Sequence, residues 1–234
     1  MENNHAPFHL IPIKKQLFVF TFFISFIGFS QKQPQPFSTF ADSVIKVNHK
    51  TFNDLDFAIY KKKYDTLKMK IFAAKSLEKN YPQGEAFAYI MLGNQYRNKS
   101  LFKKSKANLN KALAISKKKG LIEFHIVSLN MLGVVERRLD NIKSALAYHQ
   151  KALKLAEQYR NKTKSIEKSI AVCHNSVGNI YLSLKQYDLA LKEFNNSLEI
   201  DKDSYNILGL AINYHNIGCI YERTKQIERR IKKL

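Results

Sequence analysis

The sequence has no tryptophan, only two cysteines, and just five prolines and eight glycines in 234 residues. Two cysteines do not provide the disulfide framework that holds small secreted domains together. The glycines are isolated, which excludes a glycine-rich loop of the kind that cradles phosphate groups. Acidic residues are scarce too, because 19 of them face 39 basic residues and leave a formal charge of +20 at pH 7. That balance favours anionic partners or surfaces.

Arrangements typical of catalysis or metal binding are missing from the sequence. Cys173-His174 and His215-x-x-x-Cys219 could be read as zinc ligands, since His215 and Cys219 are one helical turn apart. The same residues stand where packed or surface helix residues are expected, and we favour that interpretation. There is no Ser-His-Asp or Cys-His order, and no carboxylate accompanies the other histidines at a telling spacing. The sequence therefore predicts a protein that is not an enzyme and has no cofactor or metal.

Residues 1–30 are predicted to be separate from the folded part. Lys14 and Lys15 precede an apolar run, Leu17 to Phe29, and small residues flank Phe29. This layout is typical of a secretory signal peptide, and the run is shorter than the ~18 residues expected of a membrane span. We expect a cleaved signal peptide; an uncleaved membrane anchor and a buried helix are the alternatives. Without these residues, 37 basic and 18 acidic residues remain, a balance of +19.

Residues 31–84 are predicted to lead into the repeats. Residues 31–39 form a Gln/Pro linker that stays extended. Residues 40–84 form a degenerate first repeat or N-terminal cap, with one helix from Asp42 to Tyr60 and a second helix that packs through Leu67, Ile71 and Ala74. Tyr81-Pro82-Gln83-Gly84 marks the break before the regular repeats.

One frame recurs four times in the rest of the chain. An apolar residue precedes a glycine, and an aromatic residue follows three positions later; then come a small, a large and a small residue at gaps of 4 and 3. The glycines are Gly93, Gly133, Gly178 and Gly218, at spacings of 40, 45 and 40. Gaps of 3, 4 and 7 place these residues on one stripe of a helix, so each unit is predicted to be two helices.

The glycines suggest why the helices can pack closely. Glycine inside a helix costs about 1 kcal/mol relative to alanine. Four of them in register indicate that the missing Cβ is needed where the partner helix approaches. Glu136 replaces the aromatic residue once, and in the last unit Arg230 stands at a position that should be small. We therefore expect this last unit to be incomplete, as in a fragment of a longer protein or an edge that pairs with something else.

The frame resembles the tetratricopeptide repeat, W-x2-L-G-x2-Y followed by A-x3-F and Pro, over about residues 86 to 224. The closing proline is absent, and the tryptophan position holds Tyr89, Leu129, His174 and Tyr214. The spacings exceed the usual ~34 residues, as in a long-period variety of the family. The resemblance implies an all-α fold, an α-solenoid of antiparallel helix pairs in a right-handed superhelix. Residues 85–234 would hold four repeats.

The resemblance also implies a ligand-binding groove on the concave side of the first helices. The groove positions lie three residues before each glycine and one, four and five residues after it. The predicted ligand-binding residues are Asn94, Arg97, Asn98, Asn130, Arg137, Arg138, Asn175, Asn179, His215 and Arg223. Asparagine amides can pair with an extended peptide backbone, and arginine can hold a carboxylate through two hydrogen bonds. The alternative is an ordinary hydrated surface in a sequence rich in asparagine.

The favoured function is a protein- or peptide-binding scaffold whose partner is acidic. The predicted signal peptide makes it exported, periplasmic or secreted, with a membrane reached only through its N-terminal segment or a missing C-terminal part. It resembles the sensing half of bacterial signalling proteins with long-period repeats. The alternatives are a free-standing scaffold for envelope assembly and a cytoplasmic basic solenoid that binds nucleic acid. The second is disfavoured because aromatic residues are not interleaved with the basic ones.

Overall fold

The computed structural model describes residues 36–159 and 163–231, and the side chains of residues 226–231 are left out of the description. Throughout these ranges the regular structure is helical. The predicted signal peptide and most of the predicted linker lie outside the described residues. The helices are α1 Phe37–Val47, α2 Phe52–Ala58, a 3₁₀ helix Tyr60–Tyr64, α3 Thr66–Glu78, α4 Pro82–Asn98, α5 Phe102–Lys118, α6 Ile122–Arg138, α7 Ile142–Gln158, α8 Lys164–Ser183, α9 Tyr187–Asp203 and α10 Ile207–Ile231.

Successive helices pair into hairpins, α4 with α5, α6 with α7 and α8 with α9. The first helices also contact one another in a row, α4 with α6, α6 with α8 and α8 with α10, whereas α5 and α7 do not pack together to a comparable extent. The first helices therefore form the closer inner layer and the second helices the outer layer. The all-α solenoid of helix pairs predicted from the sequence is confirmed.

The repeated glycines lie where a second helix crosses a first helix. A Cβ atom built on three of them would fall within 3 Å of the large side chain of the paired helix. The pairs are Gly93 with Leu109 at 2.5 Å, Gly133 with His149 at 2.7 Å and Gly178 with Phe194 at 2.7 Å. The hydroxyl of Ser105, a small residue of the frame, donates to the Gly93 carbonyl at 2.7 Å. The missing Cβ atoms thus allow the close approach that the frame predicts.

The turns that follow α4, α5, α6, α8 and α9 share one geometry. In the first, Ser100 has a positive φ of 57°, its N–H donates to the Arg97 carbonyl, and the Leu101 N–H donates to the Tyr96 carbonyl at 2.8 Å. This is the Schellman arrangement, which satisfies the last carbonyls of a helix. Glycine fills the left-handed position only at Gly120; the other turns use Asp140, Lys185 and Tyr205.

The first unit differs from the prediction. The expected continuous helix is broken, because α1 ends at Val47 and Asn48 adopts a left-handed φ of 59°. The packing stripe predicted for α3 was also wrong: Leu67 is 67% exposed, and the buried residues are Met69, Phe72, Ala73 and Ser76. The difference arises because α3 packs against α1 as well as α4. The frame of the later repeats therefore does not set its buried face.

The last helix has an open face. Apart from its chain neighbours and the backbone of its own helix, no atom of the described residues lies within 4 Å of a Cβ built on Gly218. Apolar side chains along α10 are exposed, among them Ile207 (79%), Leu208 (71%) and Tyr221 (61%). The frame is thus kept on α10 without a second helix from the described residues to fill it. None of the described helices is both long and apolar enough to cross a membrane.

Candidate functional site: the inner groove and its side pocket

The predicted ligand-binding residues lie on the inner layer of helices. Three are on α4, three on α6, two on α8 and two on α10. The structure separates them into an asparagine pair beside a pocket, an arginine cluster with Asn98 next to it, an internal asparagine network and two residues at the end of the array. They are not one continuous site.

A cavity of about 270 Å³, which we call the side pocket, lies between the N-terminal segment and the inner layer. Apolar and polar side chains both contribute to its wall. The lining residues are Phe52, Asn53, Asp56, Lys63, Tyr64, Ile90, Met91, Asn94, Val127, Asn130, Met131, Ser165, Lys168, Ser169 and Val172. Helices α4, α6 and α8 supply one wall, and α2 with the 3₁₀ helix supplies the other.

Two asparagines in the wall of the side pocket have a side-chain oxygen without a hydrogen-bond donor. Asn130 is only 1% exposed, and its amide nitrogen donates to the Ser169 carbonyl at 3.3 Å. Its Oδ1 atom has no hydrogen-bond donor among the described residues, and the buried Oδ1 of Asn94 has none either. Buried polar atoms are normally satisfied, so these two oxygens are exceptions, and both lie within the wall with almost no accessible surface.

Helix α2 closes the pocket through an aromatic contact. The Phe52 ring lies 5.0 Å from the ring of Phe87 on α4 and 5.7 Å from that of Phe124 on α6, measured between centroids. Aromatic pairs at such distances add about 0.5–1.5 kcal/mol beyond the area they bury. The short α2 helix is thereby held on the inner layer, and it also contacts α8.

Hydrogen bonds hold the 3₁₀ helix in place. The amide nitrogen of Gln95 donates to the Lys63 carbonyl at 2.6 Å, and its oxygen accepts from the Thr66 hydroxyl at 2.6 Å. The Lys63 ammonium is paired with the Asp56 carboxylate at 2.6 Å. Asp56 and Lys63 therefore satisfy each other within the pocket wall.

Three arginines lie together at the C-terminal ends of α4 and α6, and we call Arg97, Arg137 and Arg138 the arginine cluster. Burial lowers the pKa of Arg97, and the charges of Arg138 and Arg137 lower it further. Burial also lowers the pKa of Arg137, with Arg138 adding to the effect. Arginine remains charged despite such shifts, so the cluster concentrates positive charge on the inner layer.

The arginine cluster has no acidic partner among the described residues. The nearest carboxylate in sequence, Glu136, is buried and engaged elsewhere, because Lys106 lies 2.5 Å away and the Asn141 amide donates at 2.9 Å. Burial raises the pKa of Glu136, but these hydrogen bonds outweigh that effect and lower it overall. Arg97 instead donates to Asn98 at 3.0 Å, and its other terminal nitrogen lies 3.7 Å from the Met131 sulfur. The Nε of Arg137 lacks an acceptor in the described part of the chain.

The two asparagines of α8 are used inside the protein. The amide nitrogen of Asn179 donates to both the side chain and the backbone carbonyl of Asn175, and Asn175 donates to Asn213 at 2.7 Å. Asn213 is fully buried and donates to Asp201 and Ser197. Asn175 and Asn179 thus help to join α8, α9 and α10.

The remaining two predicted residues are exposed on α10, beyond both the pocket and the cluster. His215 Nε2 lies 3.7 Å from Cys219 Sγ, and Arg223 faces solvent.

Burial raises the pKa of the Cys173 thiol well above its usual range, so this thiol is not an activated nucleophile. Within the described ranges, no three His, Cys, Asp or Glu side chains are grouped as metal ligands would be.

Stacked helix hairpins with glycine-to-large contacts define an α-solenoid of the repeat-protein class. Models of the tetratricopeptide repeat match residues 126–159 and 171–204, so the predicted resemblance to this repeat is confirmed for these two stretches. The matched stretches contain the pairs Gly133 with His149 and Gly178 with Phe194.

Comparison with known proteins gives more distant similarities. The chain is 29% identical over 125 residues to the anaphase-promoting complex subunit cut9 of Schizosaccharomyces pombe, covering 53% of this chain and 17% of that protein. The chain thus spans less than a fifth of that relative. Similar solved structures are BtubC (BKLC) from P. vanneervenii (TM-score 0.46, 17% identity, 85% of this chain and 93% of that one) and the APC/C hetero-tetramer Cut9-Hcn1 (TM-score 0.36, 16% identity, 84% and 44%).

Sequence reasoning missed the second wall of the side pocket. Phe52, Asp56, Lys63 and Tyr64 belong to the irregular first unit, which the repeat frame does not describe. A short signal for α2 does exist, since Phe52, Leu55 and Ile59 follow helical spacing after the capping residue Thr51, whose hydroxyl accepts from the Asp54 N–H at 3.1 Å. That signal predicts a helix, but not its position on the inner layer.

Proposed function

We propose that the chain is a peptide-binding scaffold whose inner layer holds an acidic segment of a partner protein. The observation that carries this proposal is the arginine cluster, in which three adjacent cations lack a carboxylate from the described residues. A peptide carboxylate can take two parallel hydrogen bonds from one guanidinium. The two stretches that match the tetratricopeptide repeat support the same function, because the inner surfaces of such solenoids commonly bind other chains.

The cluster can be tested by removing two of its charges. Arg97→Gln with Arg138→Gln should weaken retention of acidic peptides on an array about tenfold or more, since each tenfold is about 1.4 kcal/mol and hydrogen bonds to charged groups contribute about 1.5–3 kcal/mol. The matched control is Lys103→Gln with Lys104→Gln, which removes the same charge from exposed positions on α5. Circular dichroism should show unchanged helical content in both variants.

Two results would count against the acidic-peptide function. Equal weakening by both double variants would mean that net charge alone governs retention. Tighter retention on single-stranded nucleic acid than on any acidic peptide, with a steep dependence on salt, would favour the nucleic-acid alternative.

We further propose that the scaffold is exported and serves as the ligand-binding half of a signalling protein. The export proposal is supported by Lys14 and Lys15 ahead of the apolar run, and the signalling role by family resemblance alone. N-terminal sequencing of the protein from cell fractions should find a mature end near Gln31 outside the cytoplasm. Phe23→Arg, which interrupts the apolar run, should keep the whole chain in the cytoplasm. Wild-type protein found in the cytoplasm with Met1 intact would contradict export.

A further inference from the structure

We propose that α10 pairs two copies of this chain, antiparallel to each other, through a row of residues on its open face. This row, which we call the α10 stripe, consists of Ile207, Ala211, Tyr214, Gly218 and Tyr221. Successive gaps of 4, 3, 4 and 3 keep the five residues on one side of the helix, as in the seam of a coiled coil. All five are exposed, with Ile207 at 79%, Tyr214 at 56% and Tyr221 at 61%. The pairing does not depend on the peptide-binding function proposed above.

The equivalent positions of the other first helices are covered. Ala86, Ile126 and Ala171 lie seven residues before their glycines, and each is at most 1% exposed because the second helix of its hairpin packs there. Ala211 has the same place in the frame, seven residues before Gly218, yet both are exposed. The α10 stripe therefore has a surface that packs on a helix elsewhere in the array, without such a helix among the described residues.

The chain does not turn back after α10 where it turns back after the other first helices. In those hairpins the residue seven positions after the glycine has left the helix and has a positive φ, at Ser100, Asp140 and Lys185. The equivalent residue of α10 is Lys225, and it is helical, since α10 continues to Ile231. The described chain thus runs past the stripe and does not fold over it.

The α10 stripe is complementary to a second copy of itself. Its residues alternate large, small, large, small and large, so their order is the same from either end. Two antiparallel copies that meet at Tyr214 bring Ile207 opposite Tyr221 and Ala211 opposite Gly218. Helical side chains lean towards the N-terminus of their own helix, so each Tyr214 ring leans towards the level of its own Ala211. That level faces the partner's Gly218.

The pair repeats the contact that packs each hairpin. Within the chain, Leu109 lies over Gly93 and Phe194 lies over Gly178. In the pair, the tyrosine at the centre of one stripe supplies the large side chain that the glycine of the other stripe lacks. A two-fold axis makes this contact twice, because an isologous interface uses the same surface on both copies.

The stripe keeps charge out of the interface. A net charge of +20 repels a second copy at long range. None of the fifteen residues from Ile207 to Tyr221 is Asp, Glu, Lys or Arg, although these four types make up 25% of the chain. The cores of protein interfaces are depleted in charged residues and enriched in tyrosine. Salt should therefore strengthen the pairing by screening the long-range repulsion, whereas it should weaken the binding of an acidic peptide.

Sedimentation equilibrium over a range of protein concentrations measures the pairing. The mass should rise from one copy to two, and in dilute protein the copies separate by mass action, which leaves Gly218 open as in the single chain. Tyr214→Lys should weaken the pairing about tenfold or more, because a central aromatic residue dominates such contacts. The matched control is His215→Lys, which adds a charge at the next exposed position, off the stripe, and should pair as wild type. Circular dichroism should show unchanged helical content in both variants.

Cross-linking tests the antiparallel orientation. In a Cys219→Ser background the remaining native thiol, Cys173, is buried. A short cross-linker with two thiol-reactive ends should join Ile207→Cys chains to Tyr221→Cys chains in a mixture more than it joins either variant to itself. Joining of each variant mainly to itself overturns the antiparallel pairing.

Two further results overturn the proposal. One is the mass of a single copy at every concentration and salt level. The other is a pair that Tyr214→Lys leaves intact, which would place the association on another surface, such as the apolar run of residues 17–29. Either result leaves the acidic-peptide function standing, because that function is decided by the variants of the arginine cluster.

Discussion

His149 shows how a single residue can make a packing contact sensitive to pH. Its ring lies fully buried beneath Gly133, and neither ring nitrogen has a hydrogen-bond partner in the described structure. Burial, aided by the charge of Arg137, lowers the pKa of His149 to about 4. The same position is leucine in the preceding repeat and phenylalanine in the following one, so the chain needs bulk there and not the imidazole.

The lowered pKa gives a prediction for stability against pH. The unfolded chain binds a proton at His149 near pH 6.5 and the folded chain only near pH 4, so the contribution of His149 is complete above pH 6.5 and is lost as the pH falls towards 4. The slope approaches ~1.4 kcal/mol per pH unit. His149→Phe, which copies the contact of Phe194 with Gly178, should lack this part of the loss.

Urea denaturation of both proteins between pH 7 and 4 is the measurement. Other titrating groups, including His125 and Glu136, are present in both chains, so only the difference between the two curves reports on His149. Parallel curves would show that His149 is protonated in the folded state as readily as in the unfolded chain.

At the scale of elements, each helix pair packs through the contact of a glycine on the first helix with a large side chain on the second. Gly178 has such a contact and Gly218, at the same place in the frame, has none within the described residues. The two glycines therefore form an internal comparison of the same substitution with and without a partner helix.

Alanine at the two glycines is predicted to have opposite effects. Gly218→Ala should stabilise α10 by up to about 1 kcal/mol, because alanine favours a helix and the new methyl group meets open space. Gly178→Ala gains the same propensity but places its Cβ 2.7 Å from the Phe194 ring, and overpacking of this kind costs about 1–3 kcal/mol. Thermal unfolding followed by circular dichroism measures both. Loss of stability in Gly218→Ala would mean that another element covers α10.

The regular elements were predictable and the irregular ones were not. The frame around Gly93, Gly133 and Gly178 predicts the hairpins because the glycine and its large partner recur at a fixed, short spacing within each repeat. Helix α2 is different, since it lies on the inner layer through contacts of Phe52 with Phe87 and Phe124, which are 35 and 72 positions away. The spacing of residues within one helix does not indicate contacts between residues so far apart in sequence. The second wall of the pocket was therefore not predicted.

At the scale of the whole molecule, charge and shape are distributed in a way that composition alone does not show. A net charge of +20 predicts attraction to anions in general. The structure divides that charge: the lysines of α5 are mostly exposed on the outer layer, whereas Arg97 and Arg137 are half-buried on the inner one. The groove positions of the tetratricopeptide repeat predicted the three arginines of the cluster. Three of the asparagines predicted in the same way make hydrogen bonds inside the protein, namely Asn130, Asn175 and Asn179.

Helix α8 starts earlier in its repeat than its neighbours do. It begins at Lys164, 14 positions before Gly178, while α4 and α6 begin 11 positions before Gly93 and Gly133. The chain is therefore helical already at Lys164 and Ser165, and this extra turn places Ser165 in the pocket wall. An insertion or deletion of a few residues between two hairpins would change the shape of the side pocket and leave the glycine contacts within each hairpin unchanged. Repeat proteins with the same helical framework can therefore differ in the ligand that binds there.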